Sequence, residues 1–259
     1  MSSHRTTHSC PKRMSKDKVF SIDTERSSDF VFDESVVDVF DDMLNRSVPL
    51  YLEQQKMIQD IAKQFWIPET SIVDLGCSLG TTLINIGHNV PDAETLVGYD
   101  NSQPMIDQAA ANIEKAGMSK KIQLSHADLN GDLEDLDMTN ASVITICWTL
   151  QFIRPLKRDR LIRKIFDSLV DGGVLVITDK VLTNDSNMNR FFIDFYYDYK
   201  RKNGYTEEEI IRKREALENV LIPYRFDENF ELFKRNGFQI VETFFQWNNF
   251  AGFLCVKNN

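Results

Sequence analysis

Long apolar runs are missing from this 259-residue chain. With no stretch near the roughly 18 residues that cross a bilayer, a membrane span is not expected, and the first residues lack the apolar core of a signal peptide. Cysteine is scarce: Cys10, Cys77, Cys147 and Cys255 lie far apart with no CxxC pair. That spacing fits free thiols in a reducing compartment better than a disulfide framework, so a cytoplasmic location is expected. Positive charge is short as well, with 30 Lys and Arg against 39 Asp and Glu, a formal net charge of -9 and a pI near 5.0. Gripping a phosphate backbone rests on clustered cations, so a small-molecule substrate is expected rather than direct contact with nucleic acid. There is no internal repeat. None of the four histidines is paired with a carboxylate or nucleophile in a recognisable pattern, and no histidine catalyst is expected.

What is present reads as one α/β domain over residues 17–259 behind a tail. Residues 1–16 carry Arg5, Lys12, Arg13 and Lys16 among Ser, Thr and His with almost nothing to bury, which predicts disorder. His4, His8 and Cys10 sit there without supporting neighbours, and no metal site is expected. Phe30-Val31-Phe32 suggests a short extended piece and Val36 to Phe40 a helical turn. Ser47 is then expected to cap a helix with Pro49 in its first turn, and Leu50, Gln54, Met57, Ile58, Ile61 and Phe65 form its apolar stripe.

Strands and helices alternate after that. Strands are predicted near Ile72 to Leu75, Thr95 to Tyr99, Ile122 to Ser125, Ser142 to Cys147 and Val174 to Thr178. Helices are predicted over Gln103 to Ala116 and Pro155 to Val170, with Gly172-Gly173 stopping the second. This alternation is the signature of a parallel sheet with right-handed crossovers. Phe238 to Phe245 and Phe250 to Val256 follow as an antiparallel hairpin joined by Gln246 to Asn249. The expected architecture is therefore Rossmann-like: a mostly parallel seven-stranded sheet closed by a C-terminal antiparallel hairpin. Extra helices near Met188 to Lys202, Glu207 to Val220 and Asp227 to Asn236 exceed what the sheet needs and are expected to form a lid or a subunit contact.

The chemistry concentrates at two strand ends. Asp74-Leu75-Gly76-Cys77-Ser78-Leu79-Gly80 is D-x-G-x-x-x-G rather than the dinucleotide G-x-G-x-x-G, and it ends a strand where backbone must approach a ligand without Cβ interference. The following helix turns its N-terminal amides toward that ligand. Asp100, at the next strand end, is an acceptor-only group placed for the two hydroxyls of a ribose. Together these features point to S-adenosylmethionine. Asp128 is placed to accept from an adenine amino group, with the Leu129 amide donating to a ring nitrogen. Cys77, with no adjacent base, is read as a small apolar residue and not a nucleophile.

Further segments carry a more specific likeness: Phe32-Asp33-Glu34, Arg46-Ser47-Val48-Pro49 with Tyr51, Asp100-Asn101-Ser102, Thr149-Leu150-Gln151-Phe152, Asn203-Gly204-Tyr205, Lys213-Arg214 with Leu217-Glu218-Asn219-Val220, and Phe245-Gln246-Trp247 with Asn249-Phe250. On them the chain resembles the carboxy-S-adenosylmethionine synthases from about Asp17 to Lys257. The resemblance implies that a carboxyl group from prephenate is transferred to the sulfonium methyl carbon, leaving phenylpyruvate, in service of tRNA wobble-uridine modification. It implies cofactor contacts by Tyr51, Gly76, Cys77, Ser78, Asp100, Asn101, Asp128, Leu129 and the position of Cys147. It also implies that Arg214 holds the new carboxylate, and that the protein is a homodimer in which this arginine comes from the neighbouring subunit. A guanidinium fork suits a planar carboxylate better than an ammonium does.

The chain departs from the family at Cys147, which replaces an asparagine, at Tyr196-Tyr197, which replace a histidine pair, and over Asn130 to Leu133, a short insertion. Two other readings stay open on sequence: a methyltransferase acting on a small acceptor, and a cofactor-binding protein without catalysis.

Overall fold

The computed structural model describes residues 32–258. The expected tail with His4, His8 and Cys10, and the start of the extended piece at Phe30 and Val31, lie outside them. The chain runs through α1 (Glu34–Val37), α2 (Phe40–Ser47), α3 (Tyr51–Phe65), β1 (Ser71–Leu75), α4 (Thr81–Asn89), β2 (Leu96–Asp100), α5 (Gln103–Lys115) and β3 (Ile122–His126). It continues with β4 (Ala141–Cys147), a 3-10 turn (Leu150–Phe152), α6 (Pro155–Ser168), β5 (Leu169–Leu182), α7 (Ser186–Lys202) and α8 (Glu207–Ala216). The two-residue β6 (Tyr224–Arg225), α9 (Phe226–Arg235), β7 (Ile240–Trp247) and β8 (Phe250–Val256) complete it.

Seven strands form one path in the order β3-β2-β1-β4-β5-β8-β7, and β6 pairs with β5 off that path. The first five pair in parallel, while β8 is antiparallel to both β5 and β7. The expected sheet is therefore present, with β6 as an addition. Both faces of the sheet are covered, and this is why β1 and β4 read as near-continuous apolar runs. Side chains alternate between two cores. Ile72, Val143, Val174 and Val176 pack with Ile58 and Ala62 of α3 and Leu83 and Ile86 of α4. Val73, Leu75, Ile144 and Ile146 pack with Leu161, Ile162 and Ile165 of α6 and Leu232 and Phe233 of α9. Each fully buried Leu, Ile or Phe contributes about 1.5–3 kcal/mol, so these layers fix where the strand ends lie.

Three local expectations are corrected. Ser47 ends α2 instead of capping α3, because Phe40, Met43 and Ser47 share the buried face of α2 and the helix runs through to it. Its hydroxyl donates to Tyr205 Oη at 3.1 Å and accepts from Lys213 Nζ at 3.2 Å. The residue before α3 is Leu50, in the left-handed region at φ 56, with Pro49 ahead of the helix. The inward face of α3 is Tyr51, Gln54, Gln55, Ile58 and Ala62, while Leu50 and Met57 are exposed. Second, α6 stops at Ser168, and Gly172-Gly173 lie inside β5. Leu169 pairs with Ala141 and Val174 with Val143, so extra residues loop out of β5 between them. Gly172 takes φ 78 there, and a Cβ on Gly173 would come within 2.8 Å of Val170 O. Third, the hairpin strands extend to Trp247 and Phe250, and the connection is Asn248-Asn249 alone, with Asn248 at φ 46. Asn tolerates that conformation, which shortens the turn.

Candidate functional site

The strand order reverses direction at β1, whose neighbours are β2 on one side and β4 on the other. In open α/β sheets a ligand crevice forms beyond the carboxyl ends at such a switch. A cavity of about 1130 Å³ lies there, lined from the ends of β1, β2, β4 and β5 and by residues of α2, α3, α7 and α8.

The glycine loop is built from backbone. Gly76 N and Cys77 N both donate to Tyr99 O, at 2.8 and 3.0 Å, tying the β1 end to β2. Gly76 sits at φ 81, and a Cβ there would fall 2.2 Å from Thr149 Oγ1, so glycine is required by both conformation and space. Gly80 is needed for a different reason. It is the left-handed residue at φ 77 that starts α4, and it does not line the cavity. Thr81 and Thr82 of the first turn of α4 do, so that helix N-terminus opens on the cleft as expected.

Asp100 is 8% exposed and joins the two strand ends. Its Oδ2 accepts from Ser78 N and its Oδ1 from Ser102 N, both at 2.9 Å. A carboxylate has about four lone-pair sites, so two remain for a diol. Burial raises its pKa, against the lowering effect of the Ser102 and Ser78 amides. Beneath it Asp74 is buried, accepts from Thr145 Oγ1 at 2.6 Å, and is pushed up to about 7 by that burial.

Every residue expected to contact the cofactor lines this one cavity: Tyr51, Gly76, Cys77, Ser78, Asp100, Asn101, Asp128, Leu129, Cys147 and Arg214. Tyr51 is buried, and burial raises its hydroxyl pKa. Asp128 Oδ1 accepts from Asn130 N at 2.9 Å, which shapes the loop after β3. Burial pushes both the Cys77 and Cys147 thiols up, so neither is a ready thiolate. Arg214, on α8, lines the cleft of its own chain, whereas the resemblance implied an arginine supplied by the neighbouring subunit. Its side chain is 58% exposed and its nearest carboxylate is Glu215 Oε1 at 4.0 Å, which leaves the guanidinium available. His88 and His126 are occupied by backbone: His88 Nδ1 lies 2.9 Å from Ile84 O and His126 Nε2 3.0 Å from Asn101 O.

Sequence reasoning missed several lining residues. Gln55 and Gln151 each turn a buried side-chain oxygen with no partner among the described residues toward this region. Lys180, Lys200 and Lys213 add ammonium groups. The signal for Lys180 was present, a cation two residues beyond the apolar run Val174 to Thr178, and Lys213 lay within the Lys213-Arg214 segment. Among the described residues no three His, Cys, Asp or Glu are grouped to hold a metal ion, and no helix is long and apolar enough to cross a membrane.

A family model described as a methyltransferase domain matches residues 72–173, from β1 into β5. A carboxy-S-adenosyl-L-methionine synthase of Methylococcus capsulatus is 49% identical over 245 residues, covering 94% of this chain and 100% of that protein. The chain belongs to the carboxy-S-adenosyl-L-methionine synthase family. A second member, from Nautilia profundicola, is 45% identical over 93% of this chain and 100% of its own length. Among solved structures, an O-methyltransferase family protein from Burkholderia thailandensis superposes with a TM-score of 0.68 at 14% identity, over 88% of this chain and 61% of that one. Human N-acetylserotonin methyltransferase in complex with SAM gives 0.53 at 13% identity, over 85% and 59%. These likenesses establish the class I methyltransferase fold. Membership of the synthase family makes the chain an enzyme of the transferase class with an S-adenosylmethionine cleft. The residues present fit that group: an acceptor carboxylate for the ribose, a glycine floor, a helix N-terminus, and buried glutamine oxygens that lack donors.

Proposed function

We propose that the protein is a carboxy-S-adenosyl-L-methionine synthase, converting S-adenosylmethionine and prephenate to carboxy-S-adenosylmethionine, phenylpyruvate and water, the water formed from the proton lost by the sulfonium methyl and the hydroxide that leaves the prephenate ring. The product would serve tRNA wobble-uridine modification in the cytoplasm, without direct binding of nucleic acid. The observation that carries this reading is Arg214 lining the same cleft as Asp100 and the Gly76 loop. Near its sulfur, unmodified S-adenosylmethionine offers a sulfonium, which repels a guanidinium, and its one carboxylate sits at the far end of the methionyl chain; a methyl carbon that has gained a carboxylate offers, beside the sulfur, the planar anion an arginine fork matches.

In this reading Asp100 holds the ribose, the Gly76 to Ser78 backbone and the first turn of α4 receive the nucleoside, and Asp128 and Leu129 face the base. Arg214 holds the transferred carboxyl. Cys147 takes the place of an asparagine amide, which leaves Arg214 as the principal anion donor. We include a homodimer in the proposal. Met188, Phe191 and Phe195 recur on one face of α7 at 45%, 50% and 47% exposure, the kind of apolar surface that a second copy would cover.

The test is turnover of the purified protein with S-adenosylmethionine and prephenate, followed by mass spectrometry. The expected result is phenylpyruvate together with a nucleoside one carbon dioxide heavier than S-adenosylmethionine. Recovery of unchanged prephenate, with methyl transfer to some other acceptor, would assign the ordinary methyltransferase reading instead.

A further inference from the structure

Lys180 occupies the carboxyl end of β5, the strand beside the switch point, and lines the cleft. Among the described residues its ammonium makes no hydrogen bond and no ion pair. Its Nζ rests on aromatic faces, 4.9 Å from the Tyr196 ring centroid and 5.9 Å from that of Phe250. Those rings belong to one wall: Tyr196 and Phe250 lie 4.9 Å apart, and Trp148 meets Phe250 edge-on at 5.5 Å. Lys200 Nζ lies 4.6 Å from the same Tyr196 ring. The cleft thus holds, besides Asp100 and the Gly76 loop, an ammonium set into an apolar aromatic wall.

A cation–π contact offsets only part of the cost of desolvating an ammonium. Burial accordingly lowers the Lys180 pKa to about 8, with no opposing carboxylate contributing. A protein that maintained this lysine for packing alone would do better with methionine. An anion supplied by a ligand resolves the imbalance, and the aromatic faces beside it give an apolar ring something to pack against. The ribose acceptor and nucleoside floor for S-adenosylmethionine are at β1 and β2, away from this spot, and a methionyl carboxylate on Lys180 would show itself as S-adenosylmethionine affinity lost on substitution.

We infer that Lys180 is the anchoring residue for the second substrate: its ammonium pairs with a carboxylate of a ring-bearing organic acid whose ring lies against Trp148, Tyr196 and Phe250. This rests on the proposed reaction for the identity of that acid, prephenate. Lys180 then reads the incoming acid while Arg214 reads the carboxyl once transferred, so the two cations divide two anions between them.

The probe is phenylpyruvate, titrated calorimetrically into wild type, Lys180→Met and Lys180→Arg, each saturated with S-adenosylmethionine, beside the steady-state KM for prephenate. Lys180→Met should weaken phenylpyruvate binding by about tenfold to a hundredfold, the loss of one charge-assisted contact. It should raise the prephenate KM similarly and leave S-adenosylmethionine affinity within about twofold, because that site depends on other residues. Lys180→Arg should recover much of the loss. Phenylpyruvate binding to Lys180→Met as tight as to wild type, or no binding to wild type at all, would overturn the inference. The titration decides this point whichever way turnover falls. A wild type that binds phenylpyruvate through Lys180 but yields no carboxylated product ends the proposed reaction and leaves the anchor. Turnover with a prephenate KM unchanged in Lys180→Met ends the anchor and leaves the reaction.

Discussion

Asp100 does two jobs at once, and the substitutions that separate them are informative. Its two carboxylate oxygens each accept one backbone amide, from Ser78 and from Ser102, so the same group proposed to face the ribose also holds the glycine loop against the start of α5. Asp100→Ala removes both. Hydrogen bonds to a charged group are worth roughly 1.5–3 kcal/mol each, so loss of two ribose contacts lowers S-adenosylmethionine affinity by about 3 kcal/mol or more, a factor above 100. Two buried amides also lose their acceptor, at about 1–3 kcal/mol each before water relieves them. Asp100→Asn is not conservative here. One amide oxygen replaces one carboxylate oxygen, but the –NH₂ would face a second backbone N–H, a donor against a donor. The asparagine variant is therefore expected to lose loop order almost as fully as the alanine variant. Calorimetric titration with S-adenosylmethionine, paired with urea unfolding, measures both effects. Wild-type affinity in either variant, or an asparagine variant as stable as wild type, would refute this account of the loop.

Other outcomes follow from the same geometry. Gly76→Ala is expected to destabilise the fold by about 2–5 kcal/mol, combining left-handed strain of about 1–2 kcal/mol with overpacking of about 1–3 kcal/mol against Thr149. Gly76→Ala with Thr149→Ala removes the 2.2 and 2.6 Å approaches but leaves the one at 2.9 Å, so thermal unfolding should show partial rescue; none would contradict the steric assignment. Asp74, at about 7 in the folded protein against an ordinary 3.8, binds its proton more tightly folded than unfolded, so stability falls as pH rises from about 4 to 7. Asp74→Asn keeps an oxygen for Thr145 and should melt above wild type at pH 8, with the gap closing near pH 5; a gap independent of pH would contradict the buried acid. Arg214→Ala should lose the carboxylated ligand by about tenfold or more while keeping S-adenosylmethionine, and equal loss of both would remove its anion-binding role.

The sheet was readable because its strands are buried on both faces, so that Ile72 to Leu75, Ser142 to Cys147 and Val174 to Thr178 stand out as apolar runs bounded by turns. The meeting of Gly76 and Asp100 at one cleft was readable for a related reason: both lie at strand ends, where position along the chain determines position in space. What escaped was set by tertiary contact. Ser47 looks like a helix cap by type, yet Tyr205 and Lys213 engage its hydroxyl from 158 and 166 residues away. Gly172-Gly173 looks like a helix stop, yet the pairing of Leu169 with Ala141 draws the strand back past it. Lys180 and the Trp148, Tyr196 and Phe250 wall come from β5, the loop after β4, α7 and β8, and no local pattern joins them. Gly80 was read as a close-approach glycine, but it serves the turn into α4 rather than the ligand.

The central claim is that the cleft holds an S-adenosyl group whose methyl carbon has gained a carboxylate. Mass spectrometry of the ligand released from the protein as purified from cells tests it most directly. The account predicts a species heavier than S-adenosylmethionine by one carbon dioxide, depleted when Arg214 is replaced by alanine. Unmodified S-adenosylmethionine alone, at the same level in wild type and variant, would contradict it.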